Sequence, residues 1–234
     1  MQIEFKDSIQ RLILASLAVV VICAGSMAFI HTRSGQRIPV VRQLALWLNV
    51  NCPADHITST QMDEWRAKAA TILQGDLMAP LRPALGLELN ETTIRQAAVW
   101  LEDKGLDCVH GVRGYAFLRC HKVDPKILGM SSSTPIDEFD LSFNSKGKLV
   151  SVNLLHRKLT PENGVEVFTE IVADLKEDLG MPNKISGDLS VQNFKTPLSA
   201  VSVEYNYKDY LAKVTASSLP WSGVVIYEQY MSLE

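Results

Sequence analysis

Residues 12–30 (LILASLAVVVICAGSMAFI) run for 19 positions with no charge and no proline. At about 1.5 Å per residue a helix of that length spans roughly 28 Å, close to a bilayer core of about 30 Å. Polar and charged residues flank the run: Lys6, Asp7 and Arg11 before it, His31, Arg33 and Arg37 after it. The pattern predicts a single-pass membrane anchor over residues 1–30, with the lipid bilayer as partner through residues 12–30. Two other readings compete. Ser26-Met27-Ala28 resembles a small-x-small cleavage site, which would make the segment a removable signal peptide. Cys23 could be a lipid acceptor, but Ile22 stands where a small residue is expected. The run is longer than a usual signal-peptide core, which favours the anchor. Arg33, Arg37 and Arg42 after the span nearly balance Lys6, Arg11 and the α-amino group before it, so positive charges alone barely orient it.

Removing 30 of 234 residues leaves 204, enough for one large domain or two small ones. The whole chain carries 23 basic and 26 acidic residues, a net charge of -3, and is 47% hydrophobic. That balance is globular and excludes a disordered or collagen-like chain. The small negative charge argues against a nucleic-acid partner. Four cysteines are too few for a disulfide-dense mini-protein.

Residues 31–57 read as a polar linker and a juxtamembrane amphipathic helix opened by Pro39, with Val40, Val41, Leu44, Trp47 and Leu48 on one stripe. A soluble domain over 58–234 follows. Thr58 and Gln61 have capping-box spacing, and Met62, Trp65, Ala69, Ile72 and Leu73 form a helical stripe closed by Gly75, read as a left-handed residue. Asn90 is placed to cap a second helix with Ile94, Ala97, Ala98 and Leu101 inward, ended by Gly105. Alternation then predicts strands at 106–110 and 115–121 around a turn at 111–114, then Phe139/Leu141/Phe143 and Val150/Val152/Leu154 about a turn at 144–147. Thr160-Pro161 opens a third helix with Phe168, Ile171, Val172, Leu175 and Leu179 on its stripe. The last third returns to strands through Val201, Val203, Tyr205 and Tyr207, then 210–217, then 224–231. The order predicts an α+β fold: a transmembrane helix, then helices packed on one face of an antiparallel sheet, with two candidate helix-plus-strands units at 91–155 and 161–231.

Cys108 and Cys120 flank the first hairpin. With Gly114 near its centre they fall opposite each other, the arrangement a disulfide needs, and such a bond would require an oxidising compartment. Two buried reduced thiols, or a zinc site with His110 and His121, use the same residues, although neighbours on a strand point to opposite faces. The chain carries no phosphate loop, nucleophile elbow, zinc-protease helix or dinucleotide fingerprint. Asp55-His56 with Ser59 is explained by helix capping. The pairs Glu102-Asp103 and Glu177-Asp178 read as solvated helix carboxylates, and His156-Arg157-Lys158 as a solvated strand end. No catalytic residue, cofactor or metal is assigned. Tyr205, Tyr207, Tyr210, Tyr227 and Tyr230 read as cross-strand packing, or, if a row is exposed, as a protein-binding surface.

From Thr92 onward the pattern resembles bacterial envelope domains of the BamE and β-lactamase-inhibitor-protein-like type. The features are Leu101…Gly105-Leu106-x-Cys108, a hairpin to Cys120, Phe143-x-x-x-Gly147-x-Leu149-Val150, and a helix closing on Leu179-Gly180-x-Pro182. The resemblance implies a periplasmic module that binds another protein and catalyses nothing. The expectation is a bacterial inner-membrane protein with one span and a periplasmic domain, acting as a binding or accessory subunit toward another envelope or membrane protein. Two alternatives are a hydrolase with a site of scattered residues, and a subunit of a larger membrane complex contacting it through Ala15, Ser16, Ala18, Ala24 and Gly25.

Overall fold

The computed structural model describes residues 57–130 and 132–234. The 12–30 run, the 39–48 stripe and Cys52 lie outside the described residues. Among those described, no helix is long and apolar enough to cross a membrane.

The first helix, α1 (Ser59–Leu73), starts at the expected capping box: Thr58 Oγ1 accepts the Gln61 N–H at 3.2 Å while Gln61 Oε1 accepts the Thr58 N–H at 2.9 Å. Its end differs from expectation. Gln74 turns extended, and Gly75 does not adopt a left-handed conformation. A Cβ at position 75 would run into the backbone carbonyl oxygen of Asn206, so glycine is required there by close approach. The second helix, α2 (Ile94–Asp103), is capped by Thr93 with Gln96, not by Asn90, which sits at φ +68° in the preceding turn. It ends in a Schellman pattern, with Gly105 N–H to Glu102 O (2.8 Å) and Leu106 N–H to Leu101 O (2.9 Å). Its buried face is Ala97 and Leu101; Ala98 turns outward.

Eight strands form one antiparallel sheet: β1 (Cys108–Arg113), β2 (Tyr115–Val123), β3 (Ile136–Phe143), β4 (Leu149–Leu159), β5 (Lys184–Ser186), β6 (Ala200–Asn206), β7 (Tyr210–Leu219) and β8 (Gly223–Ser232). Their spatial order is β1-β2-β3-β4-β8-β7-β6-β5. Each half is a helix followed by a four-stranded meander, α2 with β1–β4 and α3 (Pro161–Leu179) with β5–β8, and the halves meet at the β4–β8 pair. The predicted turn at 111–114 narrows to Gly114 alone, at φ +72° between the paired residues Arg113 and Tyr115. The short β5 and the one-turn helix α4 (Val191–Phe194) were not foreseen.

Register sorts the side chains by face. Cys120, Phe139, Leu154, Glu228, Val214 and Val203 stand in one cross-strand row; Leu118, Leu141, Val152, Tyr230, Ala212 and Tyr205 make the next row on the same face. Over these rows lie α2 and α3, the latter contributing Val167, Phe168, Ile171, Leu175 and Leu179. The intervening row, Arg119–Asp140–Asn153–Gln229–Lys213–Glu204–Lys184, is polar and belongs to the opposite face, with Arg119–Asp140 (2.6 Å) and Lys213–Glu204 (2.8 Å) ion pairs across strands. The expectation of helices on one face only is corrected by α1. Its Ala70 and Leu73 pack on Leu211, Met231 and Leu233, the face away from α2 and α3. It is tied there by Arg66, which donates to the carbonyls of Ser232 (3.1 Å) and Glu234 (2.9 Å). Strand alternation separates Leu211 and Met231 from their neighbours Ala212 and Tyr230.

Candidate functional site

Cys108 and Cys120 are directly paired in the β1–β2 register, 4.2 Å apart at Cα, and are joined by a disulfide. That spacing is the one a non-hydrogen-bonded antiparallel pair supplies. The bond occupies both thiols that a zinc site would have used. No group of three or more His, Cys, Asp or Glu among the described residues is arranged to hold a metal ion.

The tyrosine row does not form a surface. Tyr205 and Tyr210 are fully buried, and Tyr207 and Tyr230 nearly so; Tyr227 alone is exposed, at 38%. The reason is alternation: Tyr205 and Tyr230 point from β6 and β8 to the helical face, whereas Tyr227 points to the other. The hydroxyls of Tyr207, Tyr210 and Tyr230 are used internally, and that of Tyr205 has no hydrogen-bond partner among the described residues. Tyr207 donates to Leu179 O at 2.6 Å and Tyr210 to Pro83 O at 2.7 Å. These four residues are core, not an interface.

A partly open cavity of about 520 Å³ lies between α2, α3 and the sheet. Its floor is Glu228 and Tyr230 of β8. One wall is the α3 face carrying Glu170, Asp174 and Asp178 above Ile171 and Leu175; the other carries Trp100 and Lys104 from the end of α2. Loops at 83–86 and 128–130 complete it. Trp100 is set by the core, its ring 6.5 Å from that of Phe139 and tilted by 59°. Lys104 is already engaged: Nζ donates to Ile127 O at 2.8 Å and stands 4.9 Å over the Trp100 ring.

Glu228 is wholly buried and so is the side chain beside it, His156 of β4. Oε1 of Glu228 lies 3.1 Å from His156 Nε2, and Oε2 accepts from the Tyr230 hydroxyl at 2.5 Å. His156 Nδ1 faces the Pro135 carbonyl oxygen at 3.1 Å; a carbonyl only accepts, so Nδ1 carries a hydrogen. One proton then sits between Nε2 and Oε1, and the pair is neutral overall whichever atom holds it. A neutral, fully hydrogen-bonded pair is what makes a buried carboxylate tolerable. Burial, and then the Glu228 carboxylate, push the Tyr230 hydroxyl well above its ordinary range, so it remains a donor. His156 is therefore an interior strut and not the solvated strand end read from His156-Arg157-Lys158. Asp178, read as half of a solvated pair, lines the cavity. Glu228 was not singled out, yet the alternation Val224, Ile226, Glu228, Tyr230 places it on the buried face.

Comparison with protein-family models, with curated proteins and with solved structures gives no match. The class of the protein rests on its own geometry: among the described residues, an α+β domain with a sheet of eight antiparallel strands, disulfide-closed at one edge, and an acidic cavity between α2 and α3.

Proposed function

We propose that this chain is a membrane-anchored binding or accessory protein of the bacterial envelope, with residues 12–30 in the inner membrane and its α+β domain in the periplasm. Its binding site is the cavity between α2 and α3, which takes part of another envelope or membrane protein or a ligand that such a partner presents. The observation that carries the reading is Glu228. Both its oxygens are held, by Tyr230 and by His156, so it is a fixed polar group at the floor of a concave, part-apolar site, the composition typical of binding pockets. The apolar run and the Cys108–Cys120 bond support the compartment. The doubled helix-plus-meander topology is in keeping with the resemblance to BamE and β-lactamase-inhibitor-protein-like domains.

The nearness of His156 to Glu228 favours a hydrolytic reading as a second possibility. Against it, His156 stands behind Glu228 with both ring nitrogens engaged, and Ser132, the serine among the described lining residues, is hydrogen-bonded to neither; its Oγ accepts the Thr134 N–H.

Purification of the full chain from membranes in mild detergent tests the proposal. A stoichiometric envelope partner is expected to accompany the wild type and to be lost from Asp174→Trp, which fills the cavity mouth from an exposed position. Recovery of the chain from the soluble cytosolic fraction with free Cys108 and Cys120, or equal partner recovery by Asp174→Trp, overturns it.

A further inference from the structure

We infer that the cavity between α2 and α3 receives a positively charged group on an apolar stem, an alkylammonium or guanidinium such as a lysine or arginine side chain or a free polyamine carries. The inference rests on the proposed binding role and names the chemistry of that same site.

The electrostatics start from α3. Glu170, Asp174 and Asp178 recur at i, i+4 and i+8, so they share one helix face, and that face lines the cavity. None of the three makes an ion pair among the described residues. Like charges at this spacing weaken a helix, so the row is costly unless something positive faces it. Among the described residues Lys104 is the one basic residue of the lining, and its ammonium is bound to Ile127 O. Three carboxylates against one ammonium leave two negative charges, the Glu228–His156 pair being neutral. Burial and then the charge of Asp178 hold the Tyr210 hydroxyl well above its ordinary range; at Tyr230 burial and Glu228 lead, and Asp174 adds the smallest part.

The cavity adds what a bare acidic stripe lacks. Glu228 adds a fully buried carboxyl group beneath the floor, its two oxygens held by His156 and Tyr230. Ile171, Leu175 and Leu128 provide apolar walls for a methylene stem. Trp100 already holds one ammonium, that of Lys104, which shows the mouth to be a place where a cation rests on an aromatic face. About 520 Å³ lies within the range of roughly 300–1,000 Å³ common for small-ligand sites.

The test uses the full chain in detergent, labelled with fluorotryptophan at its four Trp positions, the Trp100 signal being assigned with Trp100→Phe. Spermidine, an N-acetylated lysine amide and a short lysine-containing peptide are the cationic probes. The same lysine amide acetylated on Nζ is the neutral control, and glutarate the anionic one. Cations are expected to shift the Trp100 resonance in a saturable, salt-weakened manner, and the two controls to leave it unmoved. The Asp174→Asn/Asp178→Asn variant, altered only on the rim, is expected to bind about ten-fold more weakly, the scale of one charge-assisted contact. Glu228→Gln should weaken binding further where it folds. Preference for the peptide over spermidine identifies a protein-borne group, and the reverse a free amine. Binding of the neutral or anionic control as tight as that of the cations, no saturable Trp100 shift with any cation, or an unaltered affinity of the rim variant overturns the inference. A partner that co-purifies and is not displaced by any cation leaves the binding role standing and removes only this assignment.

Discussion

At the scale of single residues, Asp63 shows how one side chain fixes the placement of a helix. Its Oδ2 accepts the Ser145 N–H at 3.1 Å, tying the first turns of α1 to the β3–β4 turn. Burial by itself would raise the Asp63 carboxyl; the hydrogen bond from Ser145, the nearby Tyr115 hydroxyl and the Arg66 charge outweigh it and hold the group below its ordinary 3.8. The same contact acts in reverse on Tyr115, which burial and then Asp63 push up to about 12. A depressed folded value means that the unfolded chain binds its proton first as pH falls. Asp63 therefore stabilises the fold above about pH 4, and that contribution disappears as pH drops through the folded value. Asp63→Asn is expected to cost about 1 kcal/mol at neutral pH, less than the roughly 1.5–3 kcal/mol of a hydrogen bond to a charged group because the site is only part-buried. Thermal unfolding followed by circular dichroism should show that deficit at pH 7 and show it shrink at pH values below 3.8. An equal deficit in both conditions would mean that the ionised form is irrelevant.

At the scale of elements, the β1–β2 hairpin is the exposed margin of the sheet. β1 has a single neighbour, and Val109 and Val112 are 63% and 70% exposed, so little burial holds it. The Cys108–Cys120 bond closes a loop of sequence separation 12, which by chain entropy is worth about 3 kcal/mol. In a domain of this size that corresponds to a fall of roughly 6–12 °C in Tm on reduction. Hydrogen exchange of the full chain should accelerate in 109–113 on reduction while β3 and β4 stay protected; unchanged exchange in β1 would show that the strand is held by its ladder alone. The hairpin register was legible because Gly114 marks its pivot locally. The stripes of α3, β3 and the last three strands were legible because one period runs through each. The face of α1 was not. Trp65 and Ile72, read as core, are 50% and 85% exposed, and the inward face is Met62, Asp63, Arg66, Ala70 and Leu73. α1 lies on the polar side of the sheet and is held largely by hydrogen bonds, which a hydrophobic period does not report. Three residues of β5 and four of α4 are too short to show any period.

At the scale of the whole molecule, the cavity escaped the sequence because it exists only where α2, α3 and β8 come together. Glu228 faces inward by the alternation of β8, but its partner His156 lies on β4, and only the β4–β8 pairing brings them into contact. The same burial leaves a global signature in the tyrosines. All six, at 115, 205, 207, 210, 227 and 230, are raised above 10, with burial the leading cause in every case. A phenol is neutral when protonated, so burial disfavours the phenolate, and the unfolded chain loses these protons at lower pH than the folded one. The contribution to stability is complete below pH 10 and is lost as pH rises from 10 through the folded values, about 12 for Tyr115. Alkaline titration of the full chain in detergent should give clearly less tyrosinate absorbance at pH 10 than the same chain in denaturant, which is half ionised there. The absorbance should then rise together with the loss of far-ultraviolet circular dichroism, as one cooperative step. Titration of several tyrosines near pH 10 with the circular dichroism intact would contradict the buried placement of Tyr205, Tyr207, Tyr210 and Tyr230, and with it the floor on which the cavity stands.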